Sequence, residues 1–275
     1  MIYEVIHVSN EMDLLDIHFH ELKDIVEKFI IVEHSFDYLR KPRRMYYEEN
    51  KERFKEFHHK IIHIQDNSQY DTRLGLDLMA ARNHSPLIYN ALLALNDENA
   101  FVIFSDTDVI LRKECFANID ISKPVRFSVA ANFHYFDYTI IGGTFYWTVG
   151  VPIKFMKEFG MFESVRHVRG EILPVIDSIT IVNAGYHFSK CGNLDDVLEH
   201  MKGHPHIEIA LNPNICTKER LQNRRDVGRH WDDLCDDPLP PGIFGFVKYD
   251  PKDYPEYINE HSEIYSSYFK HGMNR

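Results

Sequence analysis

The chain is predicted to form an α/β fold, a single domain with a mostly parallel central sheet flanked by helices. Two observations predict it. Short apolar runs alternate with helical stretches over the first 110 residues, and FVIFSD (101–106) runs an apolar strand straight into a carboxylate. The length of 275 residues fits one large domain or two small ones.

Taken in order, IYEVIHV (2–8) reads as the first strand. Asn10 is the expected N-cap of the helix that follows, because its side chain can accept from first-turn amides. Leu14, Leu15, Leu22, Ile25, Val26 and Phe29 recur at helical spacing, which carries that helix to about residue 27. FIIVEH (29–34) is a second strand, and KIIHIQ (60–65) a third after a charged helix near 48–59. Residues 76–95 read as helical, with Pro86 starting, kinking or breaking the helix. FVIFSD is the fourth strand.

Beyond it the pattern is less regular. RFSVAANFHYF (126–136) and TFYWTVG (144–150) read as strands with Gly142-Gly143 as the turn between them. SITIVNAGYHFS (178–189) is a strand running into a loop, and a helix follows near 193–202. From Asn212 the chain is polar and punctuated by proline, and no elements are assigned.

Composition excludes several classes. With 44% hydrophobic and 13% aromatic residues the chain can bury a core. A net charge of −11 and a pI near 5.8 argue against a nucleic-acid surface. The most basic run, RKPRR (40–44), is short, is broken by proline, and reads as a loop face. Cys115, Cys191, Cys216 and Cys235 form no CxxC pair, which fits free thiols in a reducing compartment. No apolar run approaches the ~20 residues of a membrane span. A soluble, cytoplasmic protein is expected.

The chemistry centres on SDTD (105–108). Ligands of open α/β sheets sit beyond the carboxyl ends of the strands. Alternation along an extended chain points Asp106 and Asp108 to one side, with Thr107 opposite. Two carboxylates on one side repel unless a cation lies between them, and hard oxygen ligands suit Mg²⁺ or Mn²⁺. Such an ion can hold a diphosphate as a leaving group. The plain alternative is an Asx-turn or a helix cap. His187, in NAGYHFS (183–189), and His204 and His206 further on are possible nitrogen ligands, although any one of 17 histidines is more often a surface or core-edge residue. Ala184-Gly185 implies a close backbone approach. Tyr135, Phe136, Tyr138, Tyr146 and Trp147 read mostly as core, with one or two free to stack on a sugar.

These stretches together resemble glycosyltransferase family seventeen, that of the bisecting N-acetylglucosaminyltransferase. SNEMDLLDIHFHEL (9–22), FIIVEHSFDYLRKP (29–42), KIIHI (60–64), Arg82-Asn83, FSDTDVILR (104–112), NAGYHFS, His206 with Glu208, and PLPPGIFGF (238–246) carry the resemblance, from about residue 3 to residue 260. Val109 stands where the family has Glu, Leu111 where it has Pro, Tyr186 where it has Trp, and Leu78 where the family has an acid. The resemblance implies a GT-A fold, with 1–110 as the nucleotide-binding half and 111–275 as the acceptor-binding half. It also implies an inverting, metal-dependent transferase taking N-acetylglucosamine from a UDP-sugar donor to a glycan acceptor. Asp106, Asp108 and His187 would then serve the metal, Asn10, Glu33, Arg82 and Asp106 the nucleotide, and Glu171 or Asp177 would be the general base. A relative of bacterial or viral type is implied by the missing membrane anchor. Two other readings stay open: a metal-dependent nucleotidyltransferase or phosphohydrolase, and an inactive sugar-nucleotide or glycan binder.

Overall fold

The structure is a computed structural model and describes residues 1–68, 86–159, 177–203, 207–231, 233–235 and 242–273. The strands among them are β1 (Ile2–Val8), β2 (Lys28–His34), β3 (Ile61–Asp66), β4 (Phe101–Asp106), β5 (Val109–Leu111), β6 (Val125–Phe133), β7 (Tyr138–Pro152), β8 (Ile179–Ile181), β9 (Gly185–Ser189) and β10 (Phe244–Phe246). The chain packs into two compact units. The first holds Met1–Val129 and Tyr146–Gly185, the second Ala130–Phe145 and Tyr186–Arg275.

In the first unit the strand order is β3-β2-β1-β4-β7. β1 pairs in parallel with both β2 and β4, and β2 with β3, while the end of β7 runs antiparallel to β4. Parallel strands are covered on both faces, so they read as continuous apolar runs. That is the pattern of β1, β2 and β4, whose interior residues are buried almost throughout. Ile30, Val32, Val102 and Phe104 pack with Ile88 and Leu92 of the helix Pro86–Ala94. Phe29 points to the other face, where its ring lies 4.8 Å from Phe19 of the helix Met12–Leu22. Helices therefore cover both faces, as expected for this fold class. Strand order reverses between β1 and β4, and that switch point is where such sheets bind ligands.

Several expectations need correction. The first helix ends at Leu22, because Leu22 O accepts from the amides of both Ile25 and Val26 and closes the helix in a tight turn. Asn10 is not its N-cap; Glu11 holds that place without a side-chain hydrogen bond. The charged helix is a short one, Tyr46–Asn50, continued by a 3-10 segment Lys51–Phe57 that is broken at Phe54. Of residues 76–95 the described part is helical from Pro86, and 69–85 lie outside the described residues. Gly142-Gly143 is not a turn but sits inside β7. The chain reverses earlier, at 134–137, where His134 takes the left-handed conformation (φ 67).

In the second unit the end of β6 pairs in parallel with β9, and β10 pairs antiparallel with the start of β7. The uncharted C-terminal stretch supplies much of this unit's core, through buried Tyr249, Tyr254, Tyr265 and Phe269. Phe136 and Tyr138 are core as expected, whereas Tyr135 and Tyr146 stay partly exposed. No helix among the described residues is long and apolar enough to cross a membrane.

Candidate active site

β4 ends at Asp106, in register with His7 of β1, at the switch point of the first unit. Thr107 and Asp108 then form a turn into β5. The expected alternation of an extended chain does not apply across this turn. What sets its shape is Thr107, 3% exposed, whose hydroxyl donates to the His7 carbonyl at 2.9 Å. Asp108 is buried, and Asp106 is half-buried.

The turn is anchored from both sides. Ser105 donates its hydroxyl to Glu4 Oε1 at 2.7 Å, and the same oxygen lies 2.8 Å from His18 Nε2. Glu4 and His18 are both fully buried. Charges removed from water persist only when paired and hydrogen-bonded, so this network ties β4 to β1 and to the first helix. On the far side, a Cβ on Gly185 would meet Ile110 O at 2.1 Å, and Arg112 N donates to Ala184 O at 2.8 Å. Ala184-Gly185 thus makes the close backbone approach read from the sequence, and its neighbour is β5. Val109 and Leu111, the two departures from the family pattern, are fully buried in β5 and serve as core.

The ends of β1 and β2 are polar and buried. Ser9 and Asn10 lie just past β1, and Arg43 Nη2 donates to Ser9 Oγ at 2.5 Å. The loop carrying Arg43 is closed by Asp37, whose Oδ1 accepts from the amides of Leu39 and Lys41, and by an isolated bridge between Phe36 and Pro42. The basic run is therefore an ordered loop face that reaches β1. The rings of His7 and His34 stack at 5.8 Å, and His34 Nδ1 lies 3.6 Å from Asp66 Oδ2.

Glu33 has a local task. Its Oε1 accepts from Tyr47 N at 2.7 Å and its Oε2 from Glu48 N at 3.2 Å, with His63 Nε2 also at 3.2 Å. It fastens the start of the helix Tyr46–Asn50 to β2. Burial, and after it the charges of Glu48 and Glu33, push the Tyr47 phenol up to about 12.

Asp106, Asp108, Asn10 and Glu33 all fall in the first unit. His187 belongs to the second, half-buried in β9 with its ring 6.4 Å from Phe133. Asp177 is 81% exposed and takes Lys123 Nζ at 2.7 Å. Arg82, Glu171, His204 and His206 lie outside the described residues. Among the described residues no group of three or more His, Cys, Asp or Glu gathers as a metal cage. Sequence reading missed Glu4, His18 and Ser105 as a unit. The available signal was Glu4, a lone acid inside the apolar run IYEVIHV.

Asp106 and Asp108 therefore lie at the strand edge where open α/β sheets bind their ligands. The family model described as Glycosyltransferase family 17 matches residues 1–237, and the chain belongs to that family of glycosyltransferases. A human beta-1,4-mannosyl-glycoprotein 4-beta-N-acetylglucosaminyltransferase is 34% identical over 65 residues, 23% of this chain and 12% of the human protein's length. Its rat counterpart is 32% identical over 65 residues, with the same coverage. Among solved structures, a mannosyltransferase from Pyrobaculum calidifontis in complex with GDP-Man and Mn²⁺ aligns with a TM-score of 0.43 at 10% identity, covering 74% of this chain and 62% of that one.

Proposed function

We propose that the chain is an inverting, metal-dependent transferase that moves a sugar, N-acetylglucosamine first among candidates, from a UDP-sugar to a glycan hydroxyl. The observation that supports it is the delivery of Asp106 and Asp108 to the switch point of a parallel sheet by a strand locked on both sides. The donor set fits a hard divalent cation, since carboxylate oxygens suit Mg²⁺ or Mn²⁺. Such an ion, when bound, neutralises charge on a leaving diphosphate.

The chain's own residues have separate tasks in this reading. Asp106 and Asp108 present carboxylates, Thr107 holds their turn against β1, and the Glu4–His18–Ser105 network holds the strand. Asn10 and Arg82 are assigned to the nucleotide, in a half running to about residue 110, with acceptor contacts in 111–275. Glu33 serves the nucleotide side through the helix Tyr46–Asn50 that it fastens. An acceptor hydroxyl must lose its proton as it attacks, and Glu171 or Asp177 is the base that takes it. His187 is a further metal or phosphate contact. A cytoplasmic site of action belongs to the same reading, and cell fractionation tests it.

The test is release of UDP from a panel of UDP-sugars with Mn²⁺, using the parent chain and Asp108→Asn. We expect release from one sugar, lowered roughly 10²–10³-fold in the variant, the scale of removing one well-placed electrostatic group. Unchanged turnover and metal dependence in a folded Asp108→Asn would overturn the assignment. Turnover of nucleoside triphosphates instead would move the chain to the nucleotidyltransferase reading. His187→Ala is run in the same Mn²⁺ titration and loses its role if the metal dependence is unaltered.

A further inference from the structure

The second unit contains a strand end that the proposed chemistry leaves unused. β6 and β9 are parallel with Phe133 opposite Ser189, and the chain leaves both strands through left-handed residues, His134 (φ 67) and Lys190 (φ 56). His134 N donates to Ser189 O at 3.1 Å, which keeps the two exits side by side. Left-handed backbone costs a non-glycine residue about 1–2 kcal/mol. It persists where surrounding structure imposes it, and such positions cluster at functional sites.

Lys190 is only 9% exposed, yet among the described residues its Nζ has neither a hydrogen bond nor an ion pair. Its Nζ lies over the Trp231 ring, with the centroid 5.5 Å away. Arg225, on the helix Lys218–Val227, is equally buried. Its Nη2 donates to the carbonyls of Lys190 (3.3 Å) and Gly192 (2.6 Å), and its guanidinium lies 5.6 Å from the Tyr135 ring. Its Nε is buried and, among the described residues, donates to nothing. Burial pulls the proton affinity of this guanidinium down. Asp226, the adjacent acid, is exposed and accepts from Gln222. Arg225 is thus held out of water and Lys190 nearly so, with carbonyls and aromatic faces around them and, among the described residues, no carboxylate bonded to either. Buried charge of this kind calls for a counter-ion.

We propose that Lys190 and Arg225 form an anion subsite for a phosphoryl group at the carboxyl edge of β6 and β9. Lys190 supplies a mobile point charge and Arg225 a fixed guanidinium, beside the Trp231 and Tyr135 rings. The phosphoryl group comes from a nucleotide or from a phosphorylated sugar. The subsite is independent of the Asp106–Asp108 reading, and its test is run without metal.

The full chain is titrated with inorganic diphosphate in EDTA, read by calorimetry and by tryptophan fluorescence in a Trp147→Phe background. Saturable binding is expected, weakened roughly ten- to a hundredfold in Lys190→Met, the scale of one charge-assisted hydrogen bond. Arg225→Lys keeps the charge, loses the fork, and is expected to weaken binding less. Displacement by UDP or by a sugar phosphate identifies the source of the group, and either supports the subsite. No saturable binding, or an unchanged affinity in a Lys190→Met chain that melts like the parent, overturns it.

Discussion

The two units bury charge of opposite sign and stabilise it by different means. In the first, the buried ionisable residues are acids and histidines: Glu4, Asp16, Glu33, Asp66 and Asp108 beside His7, His18 and His34. The acids meet side-chain or backbone donors, as Glu4 meets His18, Glu33 the amides of Tyr47 and Glu48, and Asp16 the guanidinium of Arg53. In the second, Lys190, Arg224 and Arg225 are buried, and among the described residues Asp137 is the one buried acid. They rest on main-chain carbonyls and ring faces, Arg224 on Cys235 O and Arg225 on those of Lys190 and Gly192. Pairing one side chain with another makes each partner costly to remove. A cation resting on carbonyls is held by dipoles rather than by an opposite charge of its own. The first unit is built to present carboxylates, and the second to receive negative charge.

Breaking the pairing in the first unit has the largest expected effect on stability. Glu4→Ala orphans a buried His18 and the Ser105 hydroxyl, and should cost about 3 kcal/mol, the low end for removing one member of a buried pair. Chemical denaturation reads it. Glu4→Gln, which still accepts from both, should recover much of the loss. If Glu4→Ala melts like the parent, side-chain pairing is not what holds the acidic unit together.

The second unit offers a pH test of the carbonyl-based arrangement. His134 is 2% exposed, its Nε2 lies 2.7 Å from Arg229 O, and burial lowers its pKa to about 4. The folded ring is therefore neutral and donates to that carbonyl, while the unfolded ring binds a proton near 6.5. Stability from this group is complete above pH 6.5 and is lost as pH falls from there toward 4. Between pH 7.5 and pH 5 the loss is about 2 kcal/mol. The slope of unfolding free energy against pH should flatten in His134→Asn. A slope identical to the parent's would mean that burial does not lower the His134 pKa in the fold.

How far the sequence reveals these features depends on how local their causes are. The edges of β1 to β4 were legible because a buried parallel strand is an apolar run with polar ends, and the carboxylates of SDTD stood out at such an end. Ala184-Gly185 was legible because a missing Cβ signals close approach. Asn10 looked like a cap because its residue type fits one, but the fold places the cap a residue later. The tasks of Glu33 and Glu4 were hidden, since their partners come from other elements: Tyr47 and His63 for one, His18 and Ser105 for the other. Lys190 and Arg225 were hidden for the same reason, 35 residues apart and joined only by carbonyls that no sequence pattern marks.

The smallest effect is expected at the surface of the first unit, and it bears on the catalytic base. Asp177 meets Lys123 in the open, and exposed pairs of this kind contribute little to folding. Asp177→Asn should leave the melting temperature unchanged. Its effect on turnover then has a single meaning. A fall in UDP release with unaltered donor affinity assigns Asp177 the acceptor proton, because a group with no structural task has no other route to the rate. Full activity removes Asp177 from the role, and Glu171→Gln is then tested, with a fall of roughly 10²–10⁴-fold expected if Glu171 takes the proton.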